Sequence, residues 1–322
     1  MTTEKRVAVL DDYQGVALTS ADWSVLDDRV SVDVWREHVS DEDQLVQALQ
    51  DYEILVVMRE RTPFPRSVIE RLPNLELIVT TGPFNAAIDL AAAGDCGVHV
   101  CGTGATLPPT YELTWALILA CVKQIPQSDR NVRAGGWQTR LGGDLDGARL
   151  GVLGLGRYGS HVARIGKAFN MDVVAWSQNL TEQQCREAGV GHVSKDELLT
   201  TSDVVTVHLV LSDRTRGLLD EAELASMKPT AYLINTSRGP IVDEDALARA
   251  LAAGTIAGAG LDAFSVEPLP SDSPFLGLDN LIISPHMGYV TANTYEIFYR
   301  DAVSDIEGFL DGKIIRPAIA YP

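Results

Sequence analysis

Gly154, Gly156 and Gly159 in "VLGLGRYGS", with Arg238, Glu267 and His286 further along, are the residues whose types and spacing could do chemistry together. The glycines follow the strand-like "RLGVL" and open the helix-like "SHVARIGKAF". In that context the first glycine allows a tight turn and the second lets backbone approach a pyrophosphate. The third lets helix and strand pack closely. The helix N-terminus adds unbonded N–H groups and a positive dipole end. Arg238 lies in "INTSRGPIVDEDAL", Asp262 and Glu267 in "LDAFSVEP", and His286 in "SPHMGYVT". Each follows a strand-like run, at the edge where parallel sheets bind their ligands. Singly, Arg238 could be a surface ion-pair partner and His286 a satisfied core histidine. Together, beside a glycine turn, they form a catalytic constellation. Of the other histidines, His38, His99, His161 and His192 read as surface or structural, and His208 as near the dinucleotide.

The strand after the glycine turn, "DVVAW", should end in the residue that reads the adenosine ribose. A carboxylate there bonds the 2′-hydroxyl and repels a 2′-phosphate. Here the strand ends in Ser177-Gln178-Asn179, with neither a carboxylate nor an immediate arginine. The choice between NAD and NADP stays open at this level.

The elements that must position these groups form two runs of strand–helix alternation. The first comprises "RVAVLDD", "VDVWRE", "EILVVM", "LELIVTTG" and "VHVC"; the second runs from "RLGVLGLG" to "NLIISPH". Their strands are apolar nearly throughout rather than alternating, which marks sheets covered by helices on both faces and therefore parallel. The fold class is α/β, with two doubly wound parallel-sheet domains. Pro108 and Pro109 mark the joint, and a single long helix is expected from about 110 to 134. The tail "TANTYEIFYRDAVSDIEGFLDGK" is helical, has no sheet of its own and is expected to pack on the first unit.

The chain has 322 residues and a net charge of −18, a field that repels nucleic acid and anionic membranes, so neither is an expected partner. The apolar run "LTWALILACV" is about half a membrane span. No secretory signal is read at the N-terminus. The four cysteines show no CxxC spacing and no nearby histidine cluster, so free thiols in a reducing cytoplasm are expected, and no metal.

"GLGRYG", "NTSRGPIVDEDAL", "LDAF" with "EP", and "SPHMGY", in that order, resemble the D-isomer-specific 2-hydroxyacid dehydrogenases over almost the whole length. The resemblance implies a Rossmann NAD(P)-binding domain, 105–290, inserted into a flavodoxin-like substrate domain of 1–104 plus 291–322. That insertion accounts for a glycine turn in mid-chain. It further implies hydride transfer between NAD or NADP and a small 2-oxo or 2-hydroxy acid. His286 would be the acid/base, since an imidazole titrating near neutrality serves both directions. Glu267 would fix its tautomer, and Arg238 would hold the substrate carboxylate and polarise the carbonyl. Gly154, Gly156, Arg157, Tyr158, Gly159, Ser177, His208, Thr236, Asp262 and Gly288 would line the dinucleotide. Glu267 argues against formate-oxidising relatives, which carry glutamine there. The helix from about 110 and the "AGGWQTR" loop resemble the family's dimer arm, implying a homodimer. The regulatory domain appended to many phosphoglycerate dehydrogenases is expected to be absent. Related alternatives are a dehydrogenase of another small anion, such as phosphite, and a dinucleotide-sensing corepressor.

The substrate loop "TTGPFNAAIDL" departs from the family pattern. Relatives often place a small residue and a glycine where this chain has Pro83 and Phe84. Proline has no N–H with which to grip a carboxylate. Arg61, Phe84 and Asn85 are therefore the candidate substrate residues, with Asn85 an available donor. Arg61 resembles a substrate-binding arginine of phosphoglycerate dehydrogenases, which points to a 2-hydroxy acid bearing a second polar or anionic group.

Overall fold

The computed structural model describes residues 4–318. The chain divides into two compact units, Met1–Thr106 with Val290–Pro322, and Leu107–Tyr289. Among the described residues each unit holds one sheet. In the first unit the strands are β1 (Lys5–Val9), β2 (Val30–Val34), β3 (Ile54–Val57), β4 (Leu77–Thr80) and β5 (His99–Gly102), ordered β2-β1-β3-β4-β5. All pair in parallel, the flavodoxin-like order. In the second unit they are β6 (Arg149–Leu153), β7 (Asp172–Trp176), β8 (Gly191–His192), β9 (Val204–Val207), β10 (Tyr232–Asn235), β11 (Gly258–Leu261) and β12 (Leu281–Ile283). Their order is β12-β11-β10-β9-β6-β7-β8, again parallel throughout. This is the dinucleotide-binding order, reversing at β6 and carrying one extra strand.

The apolar strands are buried on both faces. β3, β4, β9 and β11 are buried at every position. On one face of the first sheet lie Leu45, Val46 and Leu49 of the Glu42–Leu49 helix, started by Asp41 accepting from the Gln44 N–H at 2.8 Å. The Ala292–Leu310 helix belongs to the same unit and packs on β4, burying Phe298, Tyr299, Ala302 and Ile306. In the second unit the Glu244–Ala253 helix contributes Ala246, Leu247 and Leu251 to the core, and Trp115 and Ile118 of the Pro108–Lys123 helix cover the other face.

Two details differ from expectation. The helix expected over 110–134 is two, Pro108–Lys123 and Ile125–Arg133, broken at Gln124 in the left-handed region (φ 54°). Pro126 accounts for the break: it has no N–H for the Val122 carbonyl and its ring would crowd that carbonyl in a continuous helix, and the carbonyl accepts from the Gly143 N–H at 2.9 Å instead. β8 was not foreseen, because two exposed residues carry no readable period. Among the described residues no helix is long and apolar enough to cross a membrane, and no group of three or more His, Cys, Asp or Glu could hold a metal.

Candidate active site

Strand register assembles the second unit's site. Trp176, Leu153, Val207, Asn235, Leu261 and Ile283 pair in one row across β7, β6, β9, β10, β11 and β12. The residues just past that row are Ser177, Gly154, His208, Thr236, Asp262 and Ser284, so residues more than a hundred apart in sequence share one sheet edge. Arg238 and His286 stand three residues past the same row, on strand ends separated by that of β11. Two strand spacings of about 4.8 Å separate their strands.

The segments beyond the row are fixed by their own polar groups. Asn235 folds the chain after β10: its Nδ2 donates to the Arg238 carbonyl (2.9 Å) and its Oδ1 accepts from the Ser237 N–H (3.0 Å). Arg238 is half-buried, and its Nη1 donates to the Ser237 carbonyl at 2.9 Å. The next residue, Gly239, lies directly on the Phe264–Ser265 backbone, where a side chain would collide with main chain. That contact locks the Arg238 segment to the one carrying Glu267. Glu244 Oε1 accepts from the Ser265 N–H (2.7 Å) on the same segment, and burial pushes this carboxyl upward.

Glu267 bridges the segments. Its Oε1 accepts from the Phe264 N–H at 2.8 Å and its Oε2 meets His286 Nδ1 at 2.6 Å. A carboxylate only accepts, so Nδ1 carries the hydrogen, and Nε2 is the ring nitrogen available for proton exchange. The two side chains are 26% and 32% exposed, so the pair is reachable yet partly desolvated. His286 has φ 53°, a region costly for a residue with Cβ. Asp262 holds it there. Its Oδ1 accepts from Ser284 Oγ (2.6 Å) and the Met287 N–H (2.7 Å), and its Oδ2 from the Gly288 N–H (2.9 Å). Thr110 Oγ1 donates to the Gly288 carbonyl at 2.7 Å from the other side. Asp262 is 1% exposed, and burial raises its pKa despite three donors. Its carboxylate is engaged by the histidine's loop, a use its place in the sequence did not disclose. Thr236 is likewise engaged, with Thr114 Oγ1 2.8 Å from its hydroxyl.

The glycine turn has the form a pyrophosphate needs. The Gly154 N–H donates to the Trp176 carbonyl at 2.9 Å, and with φ 97° this glycine packs against the His208 carbonyl. Gly159 lies on the Gly154 carbonyl, where a Cβ would collide. Gly156 differs: a Cβ there meets nothing within 4 Å, so no contact inside the protein calls for glycine. The Gly156 backbone is thus open to a group approaching from outside. Tyr158 stands at the N-cap of the Gly159–Ala168 helix with no side-chain cap bond, and Arg157 beside it is exposed. The residues present thus fit a dinucleotide. The His208 ring, 2.9 Å from Thr206 Oγ1, is held neutral by burial, its pKa pushed down to about 3.

In the first unit, pairing of Val57 with Thr80 sets residues 58–61 beside the 81–85 loop. Arg59, not singled out from sequence, lies on this loop. Its guanidinium covers Gly82 and Nη1 donates to the Thr81 carbonyl at 3.2 Å, from a backbone at φ 51°. Arg61 Nη1 donates to the Asp11 carbonyl at 2.7 Å, and its guanidinium sits 4.4 Å from the Tyr13 ring centre. Phe84 is half-buried. Asn85 is not the available donor expected. Its Nδ2 donates to the Arg59 carbonyl (2.6 Å) and Thr80 Oγ1 (2.9 Å), and its Oδ1 accepts from the Ala87 N–H, so the amide is spent holding the loop. A separate cavity of about 560 Å³, beside Gln14, Thr19 and Tyr295, contains none of these candidates.

Comparison with known proteins gives the family. Residues 115–288 match the family model described as D-isomer specific 2-hydroxyacid dehydrogenase, NAD binding domain. A glyoxylate reductase of Aeropyrum pernix is 38% identical over 257 residues, 77% of this chain and 77% of the relative. The crystal structure of a phosphoglycerate oxidoreductase from Vibrio cholerae superimposes with a TM-score of 0.90 at 35% identity, covering 96% of this chain and 99% of that one. A D-lactate dehydrogenase from Aquifex aeolicus, solved with NAD and lactic acid, gives 0.76 at 29% identity, covering 95% and 96%. The chain belongs to the D-isomer specific 2-hydroxyacid dehydrogenase family, enzymes that work with a nicotinamide dinucleotide.

Proposed function

We propose that this chain interconverts a D-2-hydroxy acid and its 2-oxo acid, with the Leu107–Tyr289 unit binding NAD or NADP and the other unit carrying substrate-binding groups. The observation that carries the reading is the 2.6 Å His286–Glu267 pair, joined through Gly239 packing to the Arg238 segment. When bound, the dinucleotide supplies or takes up the hydride. His286 Nε2 gives a proton to the carbonyl oxygen in reduction and takes it back in oxidation. Glu267 keeps the donor on Nδ1. Arg238 offers a planar fork of donors to the substrate carboxylate and carbonyl. With Pro83 unable to donate, Arg59 and Arg61 supply donor groups near the 81–85 loop, which favours a substrate with a second polar or anionic group.

A homodimer in the cytoplasm completes the reading. Ile125, Trp137 and Leu141 are 58%, 72% and 96% exposed, apolar surface suited to a second copy. All four cysteines are free, as a reducing compartment keeps them. The test is steady-state turnover of a panel of 2-oxo acids with NADH and NADPH, for the parent and His286→Ala. Replacing the imidazole should cost about 10²- to 10⁴-fold in rate. Near-parent turnover of the variant, or no turnover of any 2-oxo acid, would exclude the assignment.

A further inference from the structure

The loops after β7 and β9 meet where an adenosine ribose is read. Gln178, just past the end of β7, donates from Nε2 to the Arg214 carbonyl at 3.4 Å. The turn bearing Arg214 is built around Thr215, which is buried. Thr215 Oγ1 donates to the Val210 carbonyl (2.7 Å) and accepts from the Ser212 N–H (2.8 Å), and the Arg216 N–H donates to the Ser212 carbonyl (2.9 Å). Arg214 and Arg216 flank that anchor and are exposed.

The chain carries 44 acidic against 26 basic residues, so a cation finds a carboxylate easily. Arg149, Arg186, Lys195, Lys228 and Arg249 each do so. Arg157, Arg214 and Arg216 instead form no side-chain hydrogen bond or ion pair among the described residues, and all three follow β6 or β9 at the binding edge. Ser177, Gln178 and Asn179 add no negative charge.

We infer that Arg214 makes this chain select the phosphorylated dinucleotide, NADP(H), by meeting its 2′-phosphate. The inference rests on the dinucleotide reading of the glycine turn and adds the identity of the coenzyme. Two terms act in the same direction. Ser177, Gln178 and Asn179 put no carboxylate at the end of β7 to bond a free 2′-hydroxyl or to repel a phosphate, and Gln178 holds the backbone of Arg214, whose guanidinium forms no ion pair with its exposed neighbour Asp213. A 2′-phosphate brings nearly two charges and three acceptor oxygens, which suit a forked donor.

The test is direct titration of the full-length protein with NADPH and with NADH, followed by intrinsic fluorescence without substrate. NADPH should bind about 10- to 100-fold tighter, as one or two charge-assisted hydrogen bonds give. Arg214→Ala should reduce that ratio by a similar factor, Arg214→Lys should restore part of it, and added salt should lower it. Ser177→Asp should reverse the preference. Equal or tighter binding of NADH by the parent, or an unchanged ratio in Arg214→Ala, overturns this inference alone. Binding of neither dinucleotide overturns it together with the reading it rests on.

Discussion

Replacing Asp262 with asparagine separates two roles that its position at the sheet edge would allow. The carboxylate takes three donors while 1% exposed. An asparagine oxygen at Oδ1 keeps Ser284 and Met287 as partners, through weaker neutral bonds. Its amide nitrogen then faces the Gly288 N–H, donor against donor. Leaving that buried N–H unpaired costs about 1–3 kcal/mol, and weakening the other two bonds adds about 1 kcal/mol. Relief of the buried charge offsets part of this, leaving about 1–3 kcal/mol. For a unit the size of Leu107–Tyr289 that lowers Tm by about 3–10 °C. The loss falls on the loop that holds His286 at φ 53°, so kcat should drop as well. About 10- to 100-fold is the scale for a reacting group displaced by roughly 1 Å. The assay is thermal unfolding by circular dichroism, steady-state kinetics and dinucleotide titration on the same preparation. Tm and kcat should fall while the dinucleotide Kd stays within about twofold, as expected where only positioning is lost. A variant whose Tm and kcat match the parent, or in which the dinucleotide Kd alone changes, would refute the positioning argument.

Three further outcomes are expected. Glu267→Gln replaces the charged acceptor at His286 Nδ1 with a neutral one and should lower kcat about 10-fold or more while the dinucleotide Kd stays within about twofold; an unchanged kcat counts against the pairing. Arg59→Ala should raise the KM for the 2-oxo acid about 10-fold or more and more than Arg61→Ala does, because Arg59 lies on the 81–85 loop whereas Arg61 is held by Asp11 and Tyr13. Equal KM values in both variants and the parent would remove both from the site. Burial pushes the Asp305 carboxyl up to about 6, despite its 2.6 Å bond to Arg316. The folded state therefore holds this proton more tightly than the unfolded chain. The group's stabilisation is full below about pH 4 and is lost as pH rises through 6, by roughly 3 kcal/mol. Asp305→Asn should flatten that part of the stability–pH curve, whatever its absolute stability, and chemical denaturation at pH 4 and 7 measures it.

What could be read along the chain was what local physics dictates. Apolar strands with no alternation announce sheets covered on both faces, and a strand, three spaced glycines and a helix announce a phosphate-binding turn. Both signals span fewer than about twenty residues and depend on neighbours in sequence. The residue types Arg238, Glu267 and His286 were visible for the same reason. Register was not. The row that brings Ser177, Gly154, His208, Thr236 and Asp262 to one edge exists only once six strands pair. Pairing of Val57 with Thr80 put Arg59 rather than Arg61 onto Gly82, and the loop consumed the amide of Asn85 that looked available in isolation. Asp262 was legible as a polar residue at a strand end, but its three donors come from residues 22 to 26 positions later. A side chain's type is written in the sequence, whereas its hydrogen-bond partners are fixed by long-range closure. Tertiary structure alone therefore decided which polar groups were spent on the fold.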